Sequence, residues 1–508
     1  MVDRNRIARN VAWNWTGMAV QMGSGFVIAP FLVNRMGETG YGIWILIASL
    51  TGYFDVLDLG LRTSVGRNIT LHRAQKNQEG VNAVFSTGFV LLCVQALLVV
   101  LGTLLVLTVF FDLFQVPPEQ VPTVRLALFL VAINLGAIYV FSIFDAVIWS
   151  LERFDLLNGV DIPAVLTRMF VTLALLTREN GLLVLAWITL SVTVAAGIAK
   201  MFLALSLDKS VRLQIRSVRL ETVRSLFGFG AWCFLMTIAR TATAQLGPLF
   251  IANRLAIGLV TPFSLVSRLV GYSKALVVVS TGVFTPMTTA FHAMQQRSRQ
   301  QHLFIEGGRS CLALALFFAG FFLLLGKPLI GVWIGPQLQF AWPLLLILAA
   351  GELLPMSQGI TDSLLLGMAR HRALALASIA EIAAVIVLLV FLIEPYGLVG
   401  AAIAFAVPGA ICRGIIPIVY SCQILEVSPL RYLIEVVVPV ACLATFPIVS
   451  VHYLTAWHIP ANWTELIAVS CIYTVFYGAV AAFAKFGIEP IQIYGRTCIR
   501  NLFGIQKG

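Results

Sequence analysis

Two cations interrupt an apolar segment. Residues 258–283 read GLVTPFSLVSRLVGYSKALVVVSTGV, which is long enough to cross a bilayer, yet the segment contains Arg268 and Lys274. A charge near the bilayer centre is costly unless it faces the protein interior or a water-filled cavity. At about 100° of rotation per residue, the polar and small residues share one sector with the cations. These neighbours are Ser264, Ser267, Gly271 and Tyr272. One face of this helix is therefore predicted to contact water.

The preceding apolar segment contributes a third cation. Arg240 lies near its middle, and Thr237 and Thr241 fall within about one helical turn of it. Neither apolar segment contains Asp or Glu, so these charges are not neutralised locally.

Two interpretations of the three cations are open. In one, they pair with acids on other helices and hold the bundle together; the candidates are Asp145, Asp362 and Glu381. In the other, they form an anion site in a central cavity, most simply for phosphate or pyrophosphate. Arg binds such groups through forked donors and Lys binds them as a point charge.

The composition is that of a polytopic membrane protein. Of 508 residues, 59% are hydrophobic and 11% are charged, and the mean hydropathy is +0.93. Apolar runs of about 20 residues, enough to cross a bilayer as a helix, recur from end to end. We predict an all-α fold with about fourteen transmembrane helices, near 11–33, 41–61, 83–110, 122–148, 157–177, 182–206, 224–251, 258–283, 308–333, 340–366, 373–393, 397–423, 430–454 and 464–486.

The positive charges predict the orientation of the chain. The net charge is +11, but its distribution favours a topology signal over nucleic acid binding. With the N-terminus inside, the outer loops hold only four of the 34 Lys and Arg, namely Arg35, Arg178, Arg254 and Lys327. The positive-inside rule then places both termini in the cytoplasm. The basic start lacks a cleavage site, so we expect the first helix to remain as an anchor.

Enzyme chemistry is not predicted. None of the eight cysteines falls in a predicted outer loop or a CxxC pair, so disulfides and thiolate metal sites are not expected. The six histidines fit no metal-ligand spacing, and no GxxxxGK[ST] phosphate loop occurs. The longest outer loop, around 111–121, is too short for a catalytic domain. We expect a transporter with no catalytic residue, metal or cofactor.

A weak internal repeat predicts the domain organisation. Asn34-Arg35 and Gly52-Tyr53 recur as Asn253-Arg254 and Gly271-Tyr272 at one offset of 219 residues. Parallel repeats of this kind predict two similar six-helix bundles with the substrate site between them. The predicted boundaries are 1–206 and 224–423 for the bundles, 207–223 for a basic cytoplasmic linker, and 424–508 for an extra helix pair and a tail.

Other ionisable residues have structural interpretations as well as functional ones. Glu381 and Arg413 are predicted at similar depths on neighbouring helices, which favours an ion pair. Asp58 and Arg62, four residues apart, fit a helical pair.

Four residues have interpretations that the sequence leaves open. Arg35 and Arg254 occupy equivalent outer turns, where they either guide an anion into the cavity entrance or are simply solvated. Asp362, within GITDSLLLG, either carries a coupling proton or caps a break in the helix. Asp145 is the other candidate for ion coupling.

Three stretches resemble a known family. They are residues 32–67, 328–354 and 363–408. The motifs that carry the resemblance are Met36-Gly37, Tyr41-Gly42, Trp44, Asp58-Leu59-Gly60-Leu61, Trp333, Gly335, Leu366-Gly367, Arg370, Tyr396-Gly397-Leu398 and Gly400-Ala401-Ala402. With these motifs the chain resembles the polysaccharide-transporter, or O-antigen flippase, family. That family lies in the MOP superfamily, with the multidrug extruders and the lipid II flippases.

The resemblance implies a function. It implies two six-helix bundles around a central cationic cavity, which move an undecaprenyl-pyrophosphate-linked oligosaccharide across the bacterial inner membrane by alternating access. A partnership with polysaccharide polymerase machinery is a further expectation. The alternatives are a lipid II flippase, which also has an extra helix pair, and an ion-coupled multidrug exporter, which would need acids in its cavity.

Overall fold

The regular structure of the described residues is helical throughout. The computed structural model describes residues 4–54, 61–178, 181–214, 218, 221–223, 231–282, 288, 291, 294–368, 370, 372–457 and 459–483. Its helices are α1 Arg4–Gly52, α2 Leu61–Ala74, α3 Gln78–Leu113, α4 Val121–Ser150, α5 Phe154–Leu175, α6 Gly181–Leu207, α7 Ala231–Arg254, α8 Ile257–Gly282, α9 Arg297–Trp333, α10 Trp342–Ser357, α11 Gly359–Gly367, α12 Arg372–Gly409, α13 Ile416–Leu425, α14 Pro429–Tyr432, α15 Val438–Trp457 and α16 Trp463–Phe483. Two π-helical segments, Ala410–Ile415 and Leu433–Val437, join α12 to α13 and α14 to α15.

The chain is a multi-pass membrane protein. Ten helical segments of the described residues are long and apolar enough to cross a membrane. Two of them bend sharply at a glycine with a left-handed backbone, Gly37 at φ 71° and Gly397 at φ 57°. Both glycines fall at predicted outer turns, where only glycine adopts this conformation at little cost. The predicted all-α, polytopic fold is confirmed, and the number of crossings, fourteen, stays a prediction.

The chain divides into two compact units. The first contains residues 1–265 and 393–398, and the second contains residues 266–392 and 399–508. In the first unit, α7 packs against α1, and the Tyr53 hydroxyl donates a hydrogen bond to the Ala242 carbonyl oxygen at 3.3 Å. The division into bundles at 207–223 stays a prediction.

Two ion pairs join helix ends that the sequence predicts on the same side of the membrane. In the first unit, Arg73 forms an ion pair with Asp208, and both lie at ends predicted to be cytoplasmic. Burial raises the pKa of the Asp208 carboxyl, but hydrogen bonds from Ser210 and the nearby guanidinium outweigh it and hold that pKa below its usual range. In the second unit, Arg297 pairs with Glu426 at 2.9 Å, again at predicted inner ends.

The repeated turns contact each other reciprocally within the first unit. The Thr261 hydroxyl donates a hydrogen bond to the Glu38 carbonyl oxygen at 2.6 Å, and Gly42 packs directly on the Ile257 carbonyl oxygen. The repeat offset of 219 relates residue 38 to residue 257 and residue 42 to residue 261. Residue 38 therefore contacts residue 261, which is the equivalent of residue 42. Residue 42 contacts residue 257, which is the equivalent of residue 38. Such reciprocity is expected of segments related by a two-fold axis, and it supports the repeat.

Gly42→Ala should destabilise the protein. An added Cβ would overlap the Ile257 carbonyl oxygen, a backbone atom that cannot swing away. Overpacking of this kind typically costs about 1–3 kcal/mol. Gly23→Ala is the matched control, because it lies on the same helix and a Cβ there meets nothing within 4 Å. We expect the midpoint temperature of unfolding in detergent to fall for Gly42→Ala alone. Equal midpoints for the two variants would contradict the close contact.

Candidate substrate-binding site

Arg268 is a cation on a largely apolar helix, with no carboxylate partner among the described residues. Its side chain is half-buried on α8. The guanidinium hydrogen-bonds to the hydroxyl of Tyr272, one helical turn further along. A guanidinium has five N–H donors, so donors remain for a ligand. The sequence placed both residues in one polar sector, and the structure brings them into contact.

Lys274 has a counter-ion that the sequence interpretation missed. Its Nζ lies 3.4 Å from the Glu352 carboxylate on α10. This contact is long for a charged hydrogen bond, and the Lys274 side chain is 43% exposed. Lys274 is thus only loosely bound to its partner and accessible from one side.

Glu352 is held much more tightly by Arg413. The two guanidinium N–H groups of Arg413 donate to both Glu352 oxygens at 2.8 and 2.7 Å, and its Nε donates to Glu381 at 2.7 Å. The ion pair predicted between Glu381 and Arg413 is confirmed. We call these residues and Lys274 the four-charge network; it contains two acids and two bases and has no net charge.

A π-helical segment and small residues assemble this network. Arg413 lies within Ala410–Ile415, where the wider π turn changes the direction of the side chain. Gly351 lets α10 approach the backbone of Ala406, and Gly414 packs against Leu354. Glu352 therefore lies beside a close helix contact. Nothing in its local sequence signals this position.

The other predicted site residues divide between the two units. Arg240 is exposed and Thr241 half-buried on α7, in the first unit; the side chain of Thr237 lies outside the described residues. The Ser264 hydroxyl is buried without a hydrogen-bond partner among the described residues. Ser267 is half-buried in the second unit.

The outer arginines have different surroundings. Arg35 is exposed, and its guanidinium lies 5.5 Å from the centre of the Phe31 ring. Arg254 pairs with Glu394, and both side chains are exposed. Their role at a cavity entrance stays a prediction.

The predicted coupling acids are also placed. A helix break precedes Asp362, which lies in the first turn of α11, where a negative charge is favourable. Asp145 lies 3.0 Å from Lys200 Nζ. Asp58, of the predicted pair with Arg62, lies outside the described residues.

Arg413→Met should be strongly destabilising. It would leave Glu381, with a side chain only 4% exposed, without its cation, and it would leave Glu352 to Lys274 alone. Breaking a buried ion pair by removing one partner costs about 3–5 kcal/mol. The control Arg431→Met breaks an exposed pair with Glu435, which is worth about 0.5 kcal/mol or less. The measurement is the midpoint temperature in detergent, and a similar shift for both variants would contradict a buried network.

Comparisons with known proteins agree on family and fold. The family described as "Polysaccharide biosynthesis protein" matches residues 7–292. A Shigella flexneri protein described as "Putative O-antigen transporter" is 23% identical over 418 residues, covering 79% of this chain and 94% of that protein.

Solved structures show which fold the chain shares. The lipid II flippase MurJ in an inward closed conformation has a TM-score of 0.66 at 13% identity, covering 95% of this chain and all of that one. An inward-facing multidrug MATE transporter of the MOP superfamily has the same score and identity, covering 81% and 94%. A MOP transporter from Pyrococcus furiosus has a TM-score of 0.62 at 12% identity, covering 82% and 95%. The chain therefore has the MOP transporter fold and belongs to the polysaccharide biosynthesis protein family.

Proposed function

We propose that the protein is a flippase for a lipid-linked oligosaccharide. The substrate would carry its sugars on undecaprenyl pyrophosphate and move from the cytoplasmic to the outer leaflet of a bacterial inner membrane by alternating access. Family membership, the description of the Shigella relative and a fold similar to a lipid II flippase support this proposal. Both chain termini would be cytoplasmic, and polysaccharide polymerase machinery would use the product.

The proposal depends mainly on one observation: Arg268 is half-buried and has no carboxylate partner among the described residues. Burying a guanidinium in the membrane region without a carboxylate is costly. A pyrophosphate would supply the missing negative charge and accept forked hydrogen bonds. Tyr272 would hold the guanidinium in position between transport cycles.

Lys274 is proposed to contact the same headgroup in exchange for Glu352. Its contact with Glu352 is 3.4 Å, whereas Arg413 binds that carboxylate through two shorter hydrogen bonds. A phosphate could therefore take Lys274 without leaving Glu352 uncompensated. Arg240, on the first unit, stays a candidate ligand for the same kind of anion.

The two alternatives make different demands on the acids. A multidrug exporter for cationic drugs would need an available carboxylate. Glu352 and Glu381 are held by Arg413, and Lys200 binds both Asp145 and Asp161. A lipid II flippase would use the same pyrophosphate chemistry. Deleting the gene separates it from our proposal, because blocked peptidoglycan synthesis is lethal, whereas loss of a surface polysaccharide need not be.

Arg268→Ala should abolish most transport while leaving the protein in the membrane. A hydrogen bond to a charged group contributes about 1.5–3 kcal/mol, so we expect export to fall at least tenfold. The measurement is the ratio of lipid-linked oligosaccharide to surface polymer, with membrane protein levels in parallel. Lys274→Ala should reduce export less, because Lys274 is already shared with Glu352.

The matched control is Arg125→Ala, which removes an exposed arginine outside the candidate site; its guanidinium lies 5.6 Å from the centre of the Phe111 ring. Unchanged polymer output from Arg268→Ala, at normal protein levels, would contradict the anion site. If lipid-linked intermediates do not accumulate when the gene is deleted, that result would contradict the proposed flippase function.

A further inference from the structure

The first helix has two exposed sectors on opposite sides. One contains apolar or small residues and would face lipid: Ala12, Trp15, Thr16, Ala19, Gly23 and Val27. The other contains Asn14 and Gln21, which are seven residues apart and therefore only about 20° apart around the axis. Exposed amides at membrane depth, opposite the lipid-facing side, indicate a water-facing surface.

Helix α5 shows the same arrangement. Its lipid-facing side contains Pro163, which is exposed, and Phe170, which is 60% exposed. About 180° away lies Asp161, with a side chain 51% exposed, and Arg168 lies within about 20° of Asp161. A carboxylate this exposed within a membrane helix must also face water.

Side-chain contacts join these residues to one another and to α6. Asn158 on α5 donates a hydrogen bond to the Asn14 side-chain oxygen at 2.9 Å. Asp161 lies 2.8 Å from Lys200, and the Arg168 guanidinium donates to the Thr193 hydroxyl at 3.3 Å. We call the surface formed by Asn14, Gln21, Asn158, Asp161 and Arg168 the α1–α5 polar face. All of it belongs to the first unit.

The α1–α5 polar face has no net charge. Asp161 and Asp145 share Lys200, and Arg168 balances the second carboxylate. The terminal nitrogens of the Arg168 guanidinium carry four N–H donors, and the hydrogen bond to Thr193 uses one of them. A strongly anionic ligand would gain little from such a surface. Hydroxyl groups, each both donor and acceptor, match its mixture of amides, carboxylate and guanidinium.

The face extends far enough for more than one sugar ring. Asn158 and Arg168 are ten residues apart on α5, which is about 15 Å at 1.5 Å per residue. Its hydrogen-bonding groups therefore continue through much of the membrane depth. A ligand that crosses the membrane along this surface would exchange its bonds to water for bonds to protein at successive depths.

We propose that the α1–α5 polar face binds the hydroxyl-rich sugar part of the transported lipid and determines which oligosaccharide is accepted. The inference rests on the proposed function, because it assigns a second part of the same substrate. This surface, on which positive and negative charges balance, would bind the sugars, whereas the anionic headgroup needs cations.

Asp161→Asn and Gln21→Ala are the test variants. In Asp161→Asn, Lys200 keeps Asp145 as its partner, so folding should survive. Thr16→Ala is the matched control, because Thr16 is on the lipid-facing side of α1 and its hydroxyl donates to Ala12 in its own helix. Purified full-length protein in nanodiscs is titrated with two probes. One is undecaprenyl pyrophosphate, and the other is the lipid-linked oligosaccharide extracted from cells lacking the gene.

The two probes separate the outcomes. We expect each test variant to bind the lipid-linked oligosaccharide about tenfold more weakly, with undecaprenyl pyrophosphate and the Thr16→Ala control within about twofold of wild type. Unchanged binding of both probes, or equal loss of both, would overturn the inference.

Two further results identify what failed. If Asp161→Asn keeps the preference for the sugar-bearing lipid but makes transport insensitive to the proton gradient, the face is a proton-coupling site and the sugar assignment is wrong. If wild-type protein binds neither probe, or if cells lacking the gene accumulate no lipid-linked oligosaccharide, the flippase proposal is wrong. The inference about the α1–α5 polar face is then wrong as well.

Discussion

A charge in a membrane helix needs a partner, and this requirement accounts for the ion pairs that join helices within each unit. Arg413 binds two carboxylates and Lys200 binds two others; the first group lies where small residues and a π turn let helices meet. Because hydrocarbon solvates no charge, each residue must find compensation within the protein or from a ligand. Arg268 differs from these cations, since its described contact is with a neutral hydroxyl.

The same requirement divides the polar residues into two chemical kinds. The α1–α5 polar face balances its own charges, and the four-charge network does so as long as Lys274 stays with Glu352. Arg268 is not balanced by an acid among the described residues. A substrate with a charged headgroup and neutral sugars presents both chemistries, and a protein that bound only the headgroup would not discriminate among lipids that share it.

Much of the fold could be predicted from the sequence, because membrane helices are recognised by their length and hydropathy. The bends at Gly37 and Gly397 fall where short outer turns were predicted, and the Glu381–Arg413 pair followed from their similar depths. The partner of Lys274 could not be predicted in the same way. Glu352 lies 78 residues away in the chain, and its position depends on the close approach of α10 to the π segment.

The α1–α5 polar face was missed for a related reason. Asp161 and Arg168 share one side of α5, and this spacing was visible in the sequence, but opposite charges on one helix favour a structural interpretation. Exposure is what changes that interpretation, since a carboxylate 51% exposed and opposite the lipid-facing side is not there only to neutralise Lys200. Sequence patterns show which residues share a side of a helix, whereas packing decides which side contacts water. For a transporter, that second piece of information is the one that separates residues that hold the helices together from residues that contact the cargo.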